Sequence, residues 1–129
     1  MVEWQVRGIR GATTVAENTA TAMGDAVHEL IAEIETHNLF RPEDIVCVFF
    51  TVTTDLDAMF PAAAARNRPG WDCVPLIDLQ QMNVEGSLKR CIRVLIQVNT
   101  SVSQSAIVHR YLRKAQALRP DLDVQLNHI

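Results

Sequence analysis

The sequence predicts an α+β domain: a mixed β-sheet of roughly four or five strands with two long helices on one face. Three stretches carry that expectation. Cys91–Thr100 is the longest strand-like run, and its β-branched Ile92, Val94, Ile96 and Val98 share one face by the period-two rule. Ile45–Val52 is apolar on both faces, as a central buried strand is. Over residues 19–37, Met23, Ala26, Val27, Leu30, Ile31 and Ile34 recur at helical spacing and form one apolar stripe.

The remaining elements follow in order. Residues 2–10 alternate, with Val2, Trp4 and Val6 on one face and Glu3, Gln5 and Arg7 on the other. This first strand is expected to stop at Arg10-Gly11, which puts Arg10 at a strand end. Thr13, Thr14 and Asn18 are turn and N-cap candidates ahead of the first helix, and Asn38 and Pro42 close it. Asp44 leads into the second strand, and Thr53-Thr54-Asp55 breaks it. Phe60-Pro61 opens a short alanine-rich helix over 62–67, stopped by Pro69-Gly70. Residues 74–79 read as a third strand and 80–87 as a polar loop. After Cys91–Thr100, Ser103 caps a last helix over 104–117, with Ile107, Val108, Tyr111, Leu112 and Ala115 inward. The order is β-α-β-α-β-β-α.

Two helices on one face leave the other face of the sheet uncovered. On the last long strand that face carries Cys91, Arg93, Leu95, Gln97 and Asn99, with Lys89 and Arg90 just ahead. It is half-polar, and it is expected to meet another copy of the chain.

A length of 129 residues suits one domain, 1–129. Hydrophobic content of 48% and charged content of 21% are those of an ordinary globular protein. A net charge of −3 argues against a nucleic-acid partner. No apolar run reaches membrane-spanning length and the N-terminus lacks a signal-peptide pattern, so no membrane partner and a cytoplasmic location are expected. Cys47, Cys73 and Cys91 form neither a disulfide framework nor a CxxC pair. His28, His37, His109 and His128 lack metal-site spacing, and the glycines near Arg10 do not form a phosphate loop. Neither a metal nor a cofactor is expected. What recurs is arginine at element ends: Arg10, Arg66, Arg93 and Arg119, with a single tyrosine, Tyr111. Arginine matches carboxylates with a planar fork of donors and a permanent charge.

Six stretches in order carry a family resemblance: Arg7-Gly8-Ile9-Arg10-Gly11-Ala12-Thr13-Thr14-Val15; Thr54-Asp55-Leu56 with Phe60-Pro61-Ala62; Gly70-Trp71 with Val74-Pro75; Lys89-Arg90-Cys91-Ile92-Arg93-Val94; Tyr111-Leu112-Arg113-Lys114-Ala115; and Leu118-Arg119-Pro120-Asp121-Leu122. Nearly the whole chain resembles the monofunctional chorismate mutases of the trimeric AroH class. The resemblance implies a trimeric pseudo-α/β barrel with sites at subunit interfaces. It implies conversion of chorismate to prephenate, toward phenylalanine and tyrosine, by a Claisen rearrangement that uses no nucleophile, metal or cofactor.

Motif by motif, the resemblance assigns Arg93 to the breaking ether oxygen and Arg10 and Tyr111 to a substrate carboxylate, with Tyr111 from a facing element. Phe60 and Met82 wall the ring, Arg66 adds positive charge near the entrance, and Val74 and Leu76 flank the pocket. Leu118 and Arg119 open a C-terminal flap, 118–129. The chain departs from the family pattern at Gln81, where a glutamate is expected, at Asp78, where a cysteine is expected, and at Ala63, a lysine in some members. Either Gln81 or Asp78 then accepts from the substrate hydroxyl, or Asp78 pairs with Arg10 or Arg93 in the empty site. An imine-deaminase-like trimer and a non-catalytic trimer that binds an anionic metabolite are the competing readings.

Overall fold

The computed structural model describes residues 3–121. Its elements are β1 (Gln5–Thr14), α1 (Ala20–His37), β2 (Ile45–Val52), α2 (Pro61–Arg66), β3 (Leu76–Gln80), β4 (Cys91–Thr100) and β5 (Arg110–Tyr111), with short 3-10 turns at Pro42–Asp44, Gln104–Ala106 and Arg113–Leu118. The strands form one sheet in the order β3-β2-β4-β1-β5. β4 is its middle strand, antiparallel to both β1 and β2. β3 is parallel to β2, and β5 is parallel to β1, so the sheet is mixed.

The long helix forms where its stripe predicts. Thr19 caps it by accepting from the Ala22 N–H at 3.1 Å. Asn38 ends it, and the Asn38 amide also donates to the Ile34 carbonyl. All six stripe residues are fully buried. At about 1.5–3 kcal/mol for each large aliphatic side chain taken from water, this face dominates the stabilisation of the layer. It packs on Ile9 of β1, Val48 and Phe50 of β2, and Ile92, Val94, Ile96 and Val98 of β4. The opposite sheet face carries no α-helix among the described residues; there the last 3-10 turn packs its Ala115 against Ala12 and Cys91.

Two elements differ from the sequence expectation. β1 does not stop at Arg10-Gly11 but continues to Thr14, so Arg10 lies mid-strand. Gly11 is no breaker there. A Cβ on it would stand 2.8 Å from the Ile34 Cδ1 and 3.1 Å from the Leu30 Cδ1, so glycine lets α1 lie against the strand. The end of the chain differs more. Instead of one helix over 104–117, the chain makes a 3-10 turn, a two-residue strand and a second 3-10 turn. Backbone groups on the free edge of β1 win over the helical pattern: Gly11 and Ala12 pair with Arg110 and Tyr111, and the Leu112 N–H donates to the Ala12 carbonyl at 2.8 Å. Arg113, at φ 53°, then breaks any helical continuation. Ile107, Tyr111, Leu112 and Ala115 are nonetheless buried as the pattern predicts, and Val108 is half-buried.

Candidate active site

Period two along β4 sends Arg93, Leu95 and Gln97 to the uncovered face. Pairing sets what stands beside them. Arg93 faces Ala12 of β1 on one side and Thr51 of β2 on the other. Leu95 faces Arg10 and Phe49. β5 adds Tyr111 next to Ala12. The result is a hollow of about 370 Å³ lined by Arg10, Phe49, Thr51, Leu79, Arg93, Leu95 and Tyr111. Arg10, Arg93 and Tyr111, distant in sequence, thus share one site. Tyr111 reaches it from the strand beside β1, not from a facing element.

Arg41, Arg68, Arg110, Arg113 and Arg119 each lie against a carboxylate. Arg7 and Arg90 donate to backbone carbonyls. Among the described residues, Arg10, Arg66 and Arg93 have no carboxylate at ion-pair distance. Two of these three cations stand over the same hollow. Below Arg93, burial pushes the Cys91 thiol up, against the pull of the guanidinium. Cys91 is a packed, protonated side chain that fills a small cluster with Ala12, Tyr111 and Ala115, edged by Leu88 and Leu118.

The other expected residues lie elsewhere in the chain. Phe60, 71% exposed at the N-cap of α2, lines a second hollow of about 610 Å³ with Met59, Ala63, Asp78 and Leu79. Asp78 does not pair with Arg10 or Arg93. Its place opposite Phe50 turns it toward the helix side, where its Oδ1 accepts the Ala62 N–H at 3.0 Å. Burial raises the Asp78 carboxyl above its ordinary range, opposed by that hydrogen bond and by Arg66. Gln81 and Met82 line a third hollow of about 290 Å³ with Thr53, Asp55 and the loop to Lys89. The Gln81 Oε1 is buried and without a hydrogen-bond partner, while Met82 is 81% exposed. Val74 and Leu76 are half-buried against the core. Arg119 is held by Asp121 at 2.9 and 3.1 Å, and its positive charge acts on His109 and Tyr111. The rest of the expected flap, 122–129, lies outside the described residues.

Several lining residues escape a sequence reading. Phe49 and Thr51 are reachable only through the β2–β4 register, since period two alone cannot say which strand neighbours which. His109, outside the lining, also escapes such a reading: its Nδ1 accepts the backbone N–H of Arg10 at 2.9 Å. Among the described residues, no group of three or more His, Cys, Asp or Glu side chains could hold a metal ion, and no helix is long and apolar enough to cross a membrane.

A mixed sheet whose open face carries two guanidiniums without carboxylate partners among the described residues, beside a buried tyrosine, is an arrangement suited to a small carboxylated molecule. The family model described as chorismate mutase type I matches residues 6–122, and the chain belongs to that family. It is 45% identical over 122 residues to the chorismate mutase AroH of Bacillus subtilis (strain 168), covering 95% of this chain and 96% of the relative. It is 47% identical over 119 residues to the chorismate mutase AroH of Thermus thermophilus, covering 92% and 97%. Among solved structures it is similar to a chorismate mutase from Clostridium thermocellum, with a TM-score of 0.82 and 44% identity over 85% of this chain and 97% of that one.

Proposed function

We propose that this protein converts chorismate to prephenate, a step toward phenylalanine and tyrosine, in the cytoplasm. One ether C–O bond breaks and one C–C bond forms in the same step, so no covalent intermediate or cofactor takes part. The observation that carries the reading is the meeting of Arg10, Arg93 and Tyr111 over one hollow, with neither arginine in an ion pair among the described residues. Arg10 and Tyr111 hold a substrate carboxylate, and this restricts the enolpyruvyl group to conformations folded over the ring. Arg93 meets the negative charge that grows on the ether oxygen as the bond lengthens. Because the guanidinium is already in place, little reorganisation is needed at the barrier.

Phe60, Arg66, Asp78, Gln81 and Met82 line surfaces other than the Arg10–Arg93 hollow of their own chain. A homotrimer supplies what one chain lacks: the Phe60 and Asp78 surface of one protomer closes over the Arg10–Arg93 hollow of the next. Exposed Val6, at 53%, lies on the same open face opposite Asn99, with the 59% exposed Trp4 just before the strand, and both fit burial between copies. In that assembly Asp78 or Gln81 accepts from the substrate hydroxyl, Phe60 and Met82 wall the ring, Val74 and Leu76 support the flanking strand, and Leu118 and Arg119 begin the closing flap. The test is the loss of chorismate absorbance on adding protein, with Arg93→Ala as control. Turnover by wild type and a loss of at least a hundredfold in the variant are expected, the usual order for removing one transition-state donor. An inactive wild type, or an equally fast Arg93→Ala, overturns the proposal in favour of an anion-binding trimer without this chemistry.

A further inference from the structure

Arg10 has no neighbour strand where its N–H points. Like Ala12, it directs its backbone toward the β5 side of β1, but β5 begins only at Arg110. The Ala12 carbonyl accepts from the Leu112 backbone. The Arg10 N–H meets an imidazole instead: His109 Nδ1, 2.9 Å away and half-buried. A side chain thus supplies the rung that the ladder lacks. An Nδ1 that accepts must be unprotonated, which leaves the ring proton on Nε2.

The segment that presents His109 is anchored on both sides. The Asn38 side chain both donates to and accepts from the Val108 backbone, at 2.8 and 2.9 Å. Arg110 donates to Glu33 at 3.1 Å. Of the charged groups near the ring, Arg10 comes from β1 and Arg119 from beyond the last 3-10 turn, and both disfavour an imidazolium. On the α1 side Glu33 is engaged by Arg110 and by His37, so no unengaged carboxylate there favours it. Burial acts in the same direction and is the largest cause holding His109 below its ordinary value.

We propose that His109 is a positioning residue for Arg10: its unprotonated Nδ1 fixes the β1 backbone beneath the Arg10 guanidinium, and protonation of that nitrogen releases the arginine and sets an acid limit on activity. The proposal rests on the functional reading above only for the identity of the substrate. Protonation turns an acceptor into a donor facing the Arg10 N–H, and it adds a cation beside Arg10 and Arg119. The β1 backbone must then move or lose its rung, and the carboxylate clamp moves with it.

The experiment compares wild type with His109→Asn, His109→Gln and His109→Ala in pH profiles of chorismate turnover, and follows the Arg10 amide by NMR across the same pH range. The Asn Oδ1 takes the place of Nδ1 and does not titrate, whereas the Gln Oε1 takes the place of Nε2. His109→Asn is expected to stay within about threefold of wild type at pH 8 and to lose the acid limb. His109→Gln and His109→Ala are expected to fall roughly tenfold in kcat/KM, mostly through KM, as displacement of a group that binds ground and transition states alike does. In wild type the Arg10 amide shift follows the protonation of His109, below pH 6.5; in His109→Asn it is flat. If all three variants match wild type in level and in acid limb, or the Arg10 amide ignores His109, the proposal fails. A wild type inactive at pH 8 overturns the functional reading instead, and the amide titration then decides the role of His109 by itself.

Discussion

Thr51 of β2 stands directly opposite Arg93 of β4, and its hydroxyl is buried without a hydrogen-bond partner. On the other flank Arg93 faces Ala12. The guanidinium therefore rises between two short side chains, neither of which carries a charge. A larger or acidic neighbour at either position would fill the hollow or neutralise the cation. The register of β2 and β1 on β4 thus keeps Arg93 available, though neither flanking strand carries a matching charge.

Thr51→Val is expected to leave the fold intact and raise its stability by up to about 1 kcal/mol, because it removes a buried hydroxyl that has no partner and keeps the shape. A urea midpoint compared at constant m-value measures this. A loss of stability would mean that the hydroxyl finds a partner in the assembled protein.

Arg93→citrulline keeps the planar shape and most donors but removes the charge. If the guanidinium meets charge on the breaking ether oxygen, kcat should fall by the equivalent of several kcal/mol, on the order of 3–4 for one preorganised donor. Single-turnover kinetics separates this from binding. Retained turnover would show that shape suffices.

Asp78→Asn is expected to reduce kcat/KM more than Gln81→Ala, since an ionised carboxylate is a stronger acceptor for a substrate hydroxyl than an amide. Stability should move the other way. Burial raises the Asp78 carboxyl in the folded chain, so its contribution is greatest below the unfolded value of about 3.9 and is lost as pH rises through the folded one. An amide oxygen can still accept the Ala62 N–H. The variant should then be at least as stable as wild type at pH 7, and its advantage should shrink toward pH 4. Unchanged kinetics for Asp78→Asn would remove it from the reaction.

His109 gives stability the opposite slope. Its folded-state value is lowered, first by burial and then by Arg10 and Arg119. The unfolded chain therefore binds the proton more readily, and the stability from His109 is complete above about pH 6.5 and lost as pH falls toward the folded value. His109→Asn should flatten thermal stability against pH within that window.

Gly11→Ala tests the contact that lets β1 run under the helix. The new Cβ would meet Ile34, Leu30 and Val94 at 2.8, 3.1 and 3.1 Å, and the first two side chains are fully buried. Overpacking of this kind costs roughly 1–3 kcal/mol. A denaturant midpoint equal to that of wild type would mean that α1 shifts away at no cost.

Local pattern made most of the layer legible. The six-residue stripe of α1, the alternation in β4 and the Thr19 start of the helix depend on spacing and nearby hydrogen bonds, and the sequence alone determined them. Pattern misled where a distant partner outbid it. Residues 104–117 have helical spacing, yet the unpaired edge of β1 drew Arg110 and Tyr111 into the sheet. Pairing with β4, out to Thr14 opposite Cys91, carried β1 past Gly11.

The candidate site divides along the same line. Motif resemblance was enough to single out Arg10, Arg93 and Tyr111. That these three share one hollow, that Asp78 turns to the helix side, and that an imidazole completes the edge of β1 were decided only by tertiary structure. The physical reason is that side-chain direction within a strand is local, whereas strand order and register are set by contacts between segments far apart in the chain.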